Sequence, residues 1–322
     1  MRILICGGTG FIGKNIINHF SKFSKFNIRS TYFKSDPINE LDVEWVKADL
    51  RNRADVKKVV KNVDVILQYA ATTTGSKDIL SKPYMHVTDN AIINSLLIRE
   101  SFESNVRHFI FPSCTIMYKH GDAVQKETDY KESDGIYEKY YGAGHTKLYL
   151  EKMCKFFSGL NRTKFTILRQ SNIYGPHDKF NLDTSHVLGA TITKVMTSSD
   201  KLTVWGDGCE LRDFLFVNDL VDLISKVINK QDSKYELINT SYGKSISINS
   251  LVETIIKISG KQLKVNHDIT KPSIPVDILI DNNRAFELFE WKPSTSLYDG
   301  LKETIIWYKN NTLDLISKNN SE

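Results

Sequence analysis

The stretch "MRILICGGTGFIGKNII" sets Gly7, Gly10 and Gly13 directly after an apolar run. That run, Ile3 to Cys6, is too short for a buried helix and suits a buried parallel strand, while Phe11, Ile12, Ile16 and Ile17 recur at helical spacing. The segment therefore reads strand, tight turn, helix. In such a turn the first glycine admits backbone angles that a side chain forbids, the second lets a ligand reach the main chain, and the third lets the helix lie close to the strand. The free N–H groups and positive dipole end of the new helix face whatever sits over the turn, which favours a pyrophosphate. The chemistry expected here is dinucleotide binding; the plain alternative is a glycine-rich turn that packs closely for its own sake.

A site of this kind needs a sheet to carry it. "FNIRSTYF" reads as a second strand, "VEWVKADL" as a third, "VDVILQYAA" as a fourth, "VRHFIFPSC" as a fifth and "KFTILRQSNIYG" as a sixth. Helices are expected at about residues 52 to 62, at about 78 to 104 and over "YYGAGHTKLYLEKMCKFF". The alternation predicts an α/β protein, a Rossmann doubly wound parallel sheet with helices on both faces and ligands at the carboxyl ends of its strands. Past Gly175 the alternation loosens into short runs ("LTVWG", "DFLFV", "YELINT") and two helical stretches ("NDLVDLISKVIN", "INSLVETIIKIS"), punctuated by Pro272, Pro275 and Pro293. The expectation is a dinucleotide-binding domain over 1–172 and a smaller C-terminal α/β substrate-binding lobe over 173–322, with the chain free to cross back between them. Disorder is expected only in the polar tail "KNNSE".

Composition narrows the class. With 322 residues and 41% hydrophobic content the chain can bury a large core. No apolar run approaches the ~20 residues of a membrane span and the first residues enter a strand at once, so a cytoplasmic protein is expected, without a membrane partner. Cys6, Cys114, Cys154 and Cys209 are widely spaced, which indicates free thiols and no metal site. A net charge of +5, with its cations scattered, argues against nucleic acid and fits an anionic small substrate.

The turn "GGTGFIG", the pair Asp49-Leu50, the strand end "AATTTG", the segment "LRQSNIYGPHDKF" and the late "VWGDGCELRDFLFVNDL" together resemble the extended short-chain dehydrogenase/reductases that act on nucleotide sugars, over nearly the whole chain. Within that family "GPHDKFNLDTSHV" and "WGDGCELRDF" are most similar to the GDP-L-fucose synthases. The resemblance implies that Gly7, Gly10, Phe11, Ile12 and Gly13 hold the cofactor. Asp49 would hydrogen-bond adenine with Leu50 packed on it, or Asp49 would instead cap the helix that starts near Asn52. Ala70 and Ala71 would lie against the cofactor, and Asn90 would either brace the catalytic strand or sit as a surface residue. At the end of the second strand, Lys34 and Ser35 suit the 2′-phosphate of NADP, while Asp36 on a longer strand would favour NAD.

Such enzymes use a Tyr hydroxyl as proton donor and a Lys one helical turn later, in the pattern Y-x-x-x-K. Lys147, followed by Glu151, matches the lysine, but the residue four before it is Ala143. Tyr140 and Tyr141 lie seven and six residues upstream. Either the helix starts late and Tyr141 reaches in from the preceding loop, or two extra residues form a bulge; Tyr141 is the favoured acid, with His145 a third candidate. Counting back four from Tyr118 places Cys114 where the family has Ser or Thr, flanked by Ser113 and Thr115, either of which could take over the substrate hydrogen bond. Cys114 could instead serve as an acid or base for epimerisation. GDP-L-fucose synthases carry their epimerising cysteine two residues before that tyrosine, where this chain has Ile116, while His186 matches the second epimerising group. Asn172, Lys179 and Arg212 would surround the nucleotide-sugar diphosphate, Trp205 would lie near the nucleotide or anchor the lobe, and Asp219 would cap a helix.

The activity implied is a nucleotide-sugar 4-keto reductase, with or without epimerase activity, using NADP (alternatively NAD), with a GDP-sugar favoured and a homodimer expected. A 4-epimerase or dehydrogenase with tightly bound cofactor is the next reading, and a non-catalytic NAD(P)-binding sensor the third.

Overall fold

The computed structural model describes residues 1–37, 41–72, 83–271 and 277–319. The aliphatic runs pair side by side into a seven-stranded sheet: β1 (Arg2–Cys6), β2 (Asn27–Tyr32), β3 (Val43–Lys47), β4 (Val65–Gln68), β5 (His108–Cys114), β7 (Lys164–Gln170) and β11 (Tyr235–Thr240). Their spatial order is β11-β7-β5-β4-β1-β2-β3, and every pairing is parallel. The central strand β4 is buried along its whole length, as a strand covered on both faces must be. The order reverses beside β1, so a crevice opens where the carboxyl ends of β1 and β4 diverge.

Each face is closed by amphipathic helices. On one side α1 (Phe11–Phe20), α6 (Val217–Lys230) and α8 (Asn283–Phe289) bury Ile16, Phe20, Leu223, Ile224 and Phe289 against Ile3, Ile5 and Leu67. On the other α2 (Arg53–Val60), α3 (Pro83–Glu103) and α4 (Tyr141–Ser158) bury Val56, Val59, Leu97 and Leu150 against Leu4, Ile66 and Phe109. Of the expected helix at about 78 to 104, residues 78–82 lie outside the described residues, as do Thr73, Thr74 and Gly75 of "AATTTG" and the prolines Pro272 and Pro275.

Two strands differ from expectation. "KFTILRQSNIYG" is not one strand but two: at Ser171 the chain leaves the main sheet, and β8 (Asn172–Tyr174) pairs instead with β10 (Leu211–Phe216). "YELINT" is β11 and returns to the main sheet as its edge strand, Leu237 opposite Ile167, because α6 supplies the crossover that a parallel neighbour requires. The second lobe is built from the sheet β12-β10-β8, with β12 at Ser245–Ser247, and from the pair β13 (Lys264–Asp268) with β9 (Lys201–Trp205). It is packed by α5 (Val187–Thr197), α7 (Ile248–Ser259) and α9 (Leu297–Asn319) around Ile192, Val204, Phe214, Leu251 and Tyr308. A third small pair joins β6 (Gly121–Gln125) to β14 (Ile278–Ile280) and ties the chain after β5 to the lobe. Within the tail "KNNSE", Lys318 and Asn319 close α9 and the last three residues lie outside the described residues.

Asp219, expected as a helix cap, fastens another segment. Its buried carboxylate accepts from the Ser294 N–H at 3.0 Å, the Ser294 hydroxyl at 2.9 Å and the Thr295 N–H at 3.1 Å, and its carbonyl accepts from Trp291 Nε1 at 3.0 Å. Asp219→Ala strands the Ser294 and Thr295 donors, leaving the Trp291 bond to the main chain in place, and is expected to cost about 2–4 kcal/mol of stability, read as a lowered urea midpoint; an unchanged midpoint would refute the anchoring role.

Candidate active site

The glycine turn is shaped by close contacts. Gly7 has φ +79°, and a Cβ there would lie 2.8 Å from Ala70 Cα, so β4's exit runs directly against the turn. At Gly13 a Cβ would stand 2.3 Å from the Gly7 carbonyl oxygen, which is how α1 comes to start so close to β1. Gly8, which the sequence reading passed over, is equally constrained: a Cβ would fall on Ser30 Oγ of β2. Its signal was the doubled glycine. Gly10 is the N-cap of α1 and supplies no side-chain cap, so the first N–H groups of α1, starting with Phe11 and Ile12, are left for a ligand. This cradle of glycines at the uncapped start of α1 fits a dinucleotide pyrophosphate.

Around it, Ala70 is half-buried and Ala71 exposed at the end of β4. Asn90 braces the backbone just beyond: its Oδ1 accepts from the Thr72 N–H at 2.9 Å and its Nδ2 donates to the Thr72 carbonyl at 3.1 Å. Leu50 is buried in the core beside Val56 and Val59. The helix α2 is capped by Asn52, whose Oδ1 accepts from the Ala54 N–H at 2.8 Å, so capping does not fall to Asp49. Asp49 instead takes the Arg51 side chain on both oxygens, at 3.0 and 2.9 Å, which holds its carboxyl below the usual range. Lys34 is exposed beyond the end of β2.

The helix that carries Lys147 starts at Tyr141 without a bulge, after a one-turn 3-10 segment Glu138–Tyr140. Neither expected arrangement of Tyr141 occurs. Six residues of helix turn through about 600°, about 120° short of two full revolutions, so Tyr141 points away from Lys147, whereas Tyr140, the N-cap seven residues before Lys147, falls within about 20° of the same face. Tyr141 is accordingly 61% exposed, its ring 4.4 Å from that of His145, also exposed. Tyr140 turns inward against Tyr118, Ile278 and Ile280. Burial raises its pKa, the Arg212 charge pulls it back down, and Cys114 is close enough to push it up. The glycines upstream of Lys147 make room: a Cβ on Gly142 would meet Val87 of α3 at 2.7 Å, and one on Gly144 would meet Ile136 at 2.8 Å.

Lys147 Nζ donates to the Pro112 carbonyl at 2.5 Å and lies 4.7 Å from the Phe111 ring centroid. Burial lowers its pKa, against the opposing pull of Cys114 and Glu151. Cys114 is half-buried; burial raises its thiol and Lys147 lowers it. Ser113 is buried and committed, donating to Glu151 Oε1 at 2.5 Å, while Thr115 is half-buried and its carbonyl accepts from the Tyr118 N–H at 3.1 Å. So Tyr140, Cys114 and Lys147 lie within electrostatic range of one another at the carboxyl end of β5, and Arg212 of β10 acts on Tyr140 from the second lobe.

The other substrate-side residues form a looser ring. Asn172 Nδ2 donates to the Asp213 carbonyl at 2.9 Å, and Trp205 is 46% exposed with Lys194 Nζ 5.1 Å over its ring. His186 is the N-cap of α5; although solvent reaches the residue, desolvation of its ring and the nearby Lys179 and His86 hold its pKa below 6.5. Burial pushes the neighbouring Asp178 up to about 7. Among the described residues no group of three or more His, Cys, Asp or Glu side chains is placed to hold a metal ion, and no helix is long and apolar enough to cross a membrane.

Residues 3–240 match the NAD dependent epimerase/dehydratase family. GDP-mannose 3,5-epimerase 1 of Oryza sativa subsp. indica is 28% identical over 96% of this chain and 82% of its own length. GDP-L-fucose synthase of Azorhizobium caulinodans is 26% identical over 95% of this chain and 96% of its own. Among solved structures, UDP-glucose 4-epimerase of Thermotoga maritima with UDP-glucose superposes with a TM-score of 0.84 at 22% identity, covering 96% of this chain and 99% of that one. UDP-glucuronic acid 4-epimerase of Bacillus cereus, in complex with UDP-glucuronic acid and NAD, gives 0.83 at 23% identity, with the same coverage.

The turn separates two roles of glycine that substitution can distinguish. Gly13→Ala drives a Cβ into a backbone oxygen and is expected to cost about 1–3 kcal/mol of stability. Gly10→Ala, at φ −81° and ψ 171°, is expected to change stability by no more than about 1 kcal/mol yet to weaken dinucleotide binding at least tenfold. Urea unfolding and a dinucleotide titration of both variants check this; full-strength binding by Gly10→Ala would refute the placement of the ligand.

Proposed function

The chain belongs to the NAD dependent epimerase/dehydratase family, and from that premise we propose that it is a nucleotide-sugar 4-keto reductase working with NAD(P). The observation that carries the reading is that Tyr140, Cys114 and Lys147 come together at the carboxyl end of β5, in the same sheet whose β1 end carries the glycine turn, with Arg212 acting on Tyr140 from the other lobe. The nicotinamide, when bound, supplies the hydride for the ketone carbon.

The residues of the chain handle the oxygen. A phenol whose pKa is raised by burial stays protonated through neutral pH, which suits Tyr140 to donating a proton to the carbonyl oxygen as negative charge grows on it. Lys147, hydrogen-bonded to the Pro112 carbonyl, is held beside the thiol and orients the ribose side of the cofactor. With Ser113 committed to Glu151, Cys114 and the Thr115 hydroxyl are left at the β5 end to face the sugar. Arg212 suits a bidentate grip on the diphosphate, with Lys179 as a point charge. A GDP-sugar is the favoured substrate, since the rice and Azorhizobium relatives are named for GDP-sugars. Epimerisation is weak or absent in this reading because Ile116 stands where a cysteine would be needed, even though His186 is present. The lobe built on β8, β10 and β12 is the substrate lobe. Ile92 of α3 with Tyr149 and Phe156 of α4, exposed at 45%, 54% and 64%, form the contact face of a homodimer, for which light scattering should give the mass of two chains.

Turnover of a 4-keto nucleotide sugar, followed as loss of NADPH or NADH absorbance, tests the assignment. Tyr140→Phe is expected to lower kcat about 100-fold or more, and Tyr141→Phe to leave it within about twofold; the reverse pattern would restore Tyr141 as donor. The reductive rate should hold through neutral pH and fall on the alkaline side, above the ordinary tyrosine value of about 10, as the phenol loses its proton. In deuterated water, deuterium at sugar carbons 3 and 5 would show epimerisation and overturn that part of the reading. Interconversion of 4-hydroxyl epimers with no net use of added cofactor would mark a 4-epimerase instead.

A further inference from the structure

We propose that Arg51, in the turn between β3 and α2, is the residue that selects a dinucleotide carrying a 2′-phosphate. The inference rests on the reading of the chain as an enzyme that binds a nicotinamide dinucleotide. Dinucleotide folds hold the adenosine ribose at the carboxyl end of β2, with a carboxylate for two free hydroxyls or an arginine for a 2′-phosphate. Here β2 ends at Tyr32 and is followed by Phe33, Lys34 and Ser35, with no carboxylate before Asp36.

That strand end is tied to the glycine turn on one side and to the Arg51 turn on the other. The Gly7 N–H donates to Thr31 Oγ1 at 3.0 Å and the Gly8 N–H to the Thr31 carbonyl at 3.0 Å. From the neighbouring strand the Ala48 N–H donates to the Tyr32 carbonyl at 3.0 Å. Arg51 then folds back so that its guanidinium carbon lies 5.6 Å from the centroid of the Phe33 ring. The cation therefore stands over the place where the chain leaves β2, whereas Lys34 extends into solvent one residue further on.

Two carboxylates hold the fork in position: Asp49 takes Nε at 3.0 Å and Nη2 at 2.9 Å, and Asp89 takes Nη1 at 3.3 Å while also accepting from Thr72 Oγ1 at 3.1 Å. The side chains of Arg51 and Asp49 are 40% and 31% exposed, so solvent screens their pair. A phosphate presents the same bidentate geometry as a carboxylate and more charge, and can take Asp49's place on the guanidinium. Asp49 is then released to accept from the adenine amino group. A 2′-hydroxyl offers Arg51 no such replacement, and Asp49 stays divided between the two.

The test is the affinity of the intact protein for NADPH and NADH, measured by calorimetry for wild type, Arg51→Ala, Arg51→Lys and Lys34→Ala, with thermal melts to confirm folding. Wild type should bind NADPH more tightly. Arg51→Ala should lose roughly 10- to 100-fold in NADPH affinity and flatten its salt dependence, with NADH changed by less than about threefold. Arg51→Lys, which keeps the charge and loses the fork, should fall between. An unaltered NADPH/NADH ratio in Arg51→Ala, or loss of the ratio in Lys34→Ala alone, would overturn the assignment while leaving the cofactor reading standing. Failure of wild type to bind either dinucleotide would overturn both.

Discussion

A buried ion pair holds the candidate site together. Arg169 of β7 and Glu151 of α4, with side chains 4% and 6% exposed, meet through Nη2 to Oε2 at 2.7 Å and Nε to Oε1 at 3.1 Å. Two charges withdrawn from water are stabilised when further hydrogen bonds use their remaining donors and acceptors. Four of the five guanidinium N–H groups are paired: besides the two bonds to Glu151, Arg169 donates to the Tyr118 hydroxyl at 2.8 Å and the Glu127 carbonyl at 3.3 Å, and Glu151 also accepts from Ser113. Tyr118 passes the chain on to Asn239 of β11 at 2.6 Å, and Asn239 Nδ2 donates to the carbonyls of Gln125 and Asp281. Burial alone would lower the Arg169 pKa, but the bonds and charge of Glu151 and Tyr118 more than offset it, so the guanidinium remains a fixed cation.

This network joins β5, β7, β11, α4 and the segment β6 into one rigid support, and its consequences reach the chemistry. Glu151 is one helical turn after Lys147, so the bond that locks Ser113 also sets the rotation of α4. With α4 rotated in this way, Lys147 meets the Pro112 carbonyl, Cys114 lies next to it, and Tyr140 falls on the inner face. Removing either partner would leave an unpaired charge in the core, which explains why a polar group is kept where an apolar pair would pack. At the end of β5 Cys114 presents a thiol, and the neighbouring Ser113 hydroxyl is already spent on Glu151.

The dinucleotide end of the cleft follows a different rule, that of backbone approach. Gly7, Gly8 and Gly13 are small because β1, β2, β4 and α1 come within contact of one another at a single turn. The same crowding brings the ends of β2 and β3 together, and this is what places Arg51 over Phe33. Asn90 completes that end by pinning both backbone groups of Thr72.

Local pattern was enough for the glycine turn, the strand–helix alternation and most of the strands, because each depends on residues within one or two turns of chain: an apolar run, a helical period, a glycine where no Cβ fits. The same information placed Lys147 on a helix and Cys114 and Ser113 at the end of β5. It could not say which tyrosine faces inward, since that depends on where α4 begins, and the start is decided by the 3-10 turn Glu138–Tyr140 and by Val87 and Ile136 packing on Gly142 and Gly144. Nor could it divide "KFTILRQSNIYG" at Ser171 or return "YELINT" to the main sheet, because strand partners lie far away in sequence and no local preference distinguishes one parallel edge from another. The roles of Glu151, Arg169 and Arg51 were hidden for the same reason: an isolated charge in a sequence reads as a solvated one until tertiary packing removes its water or brings its partners to it.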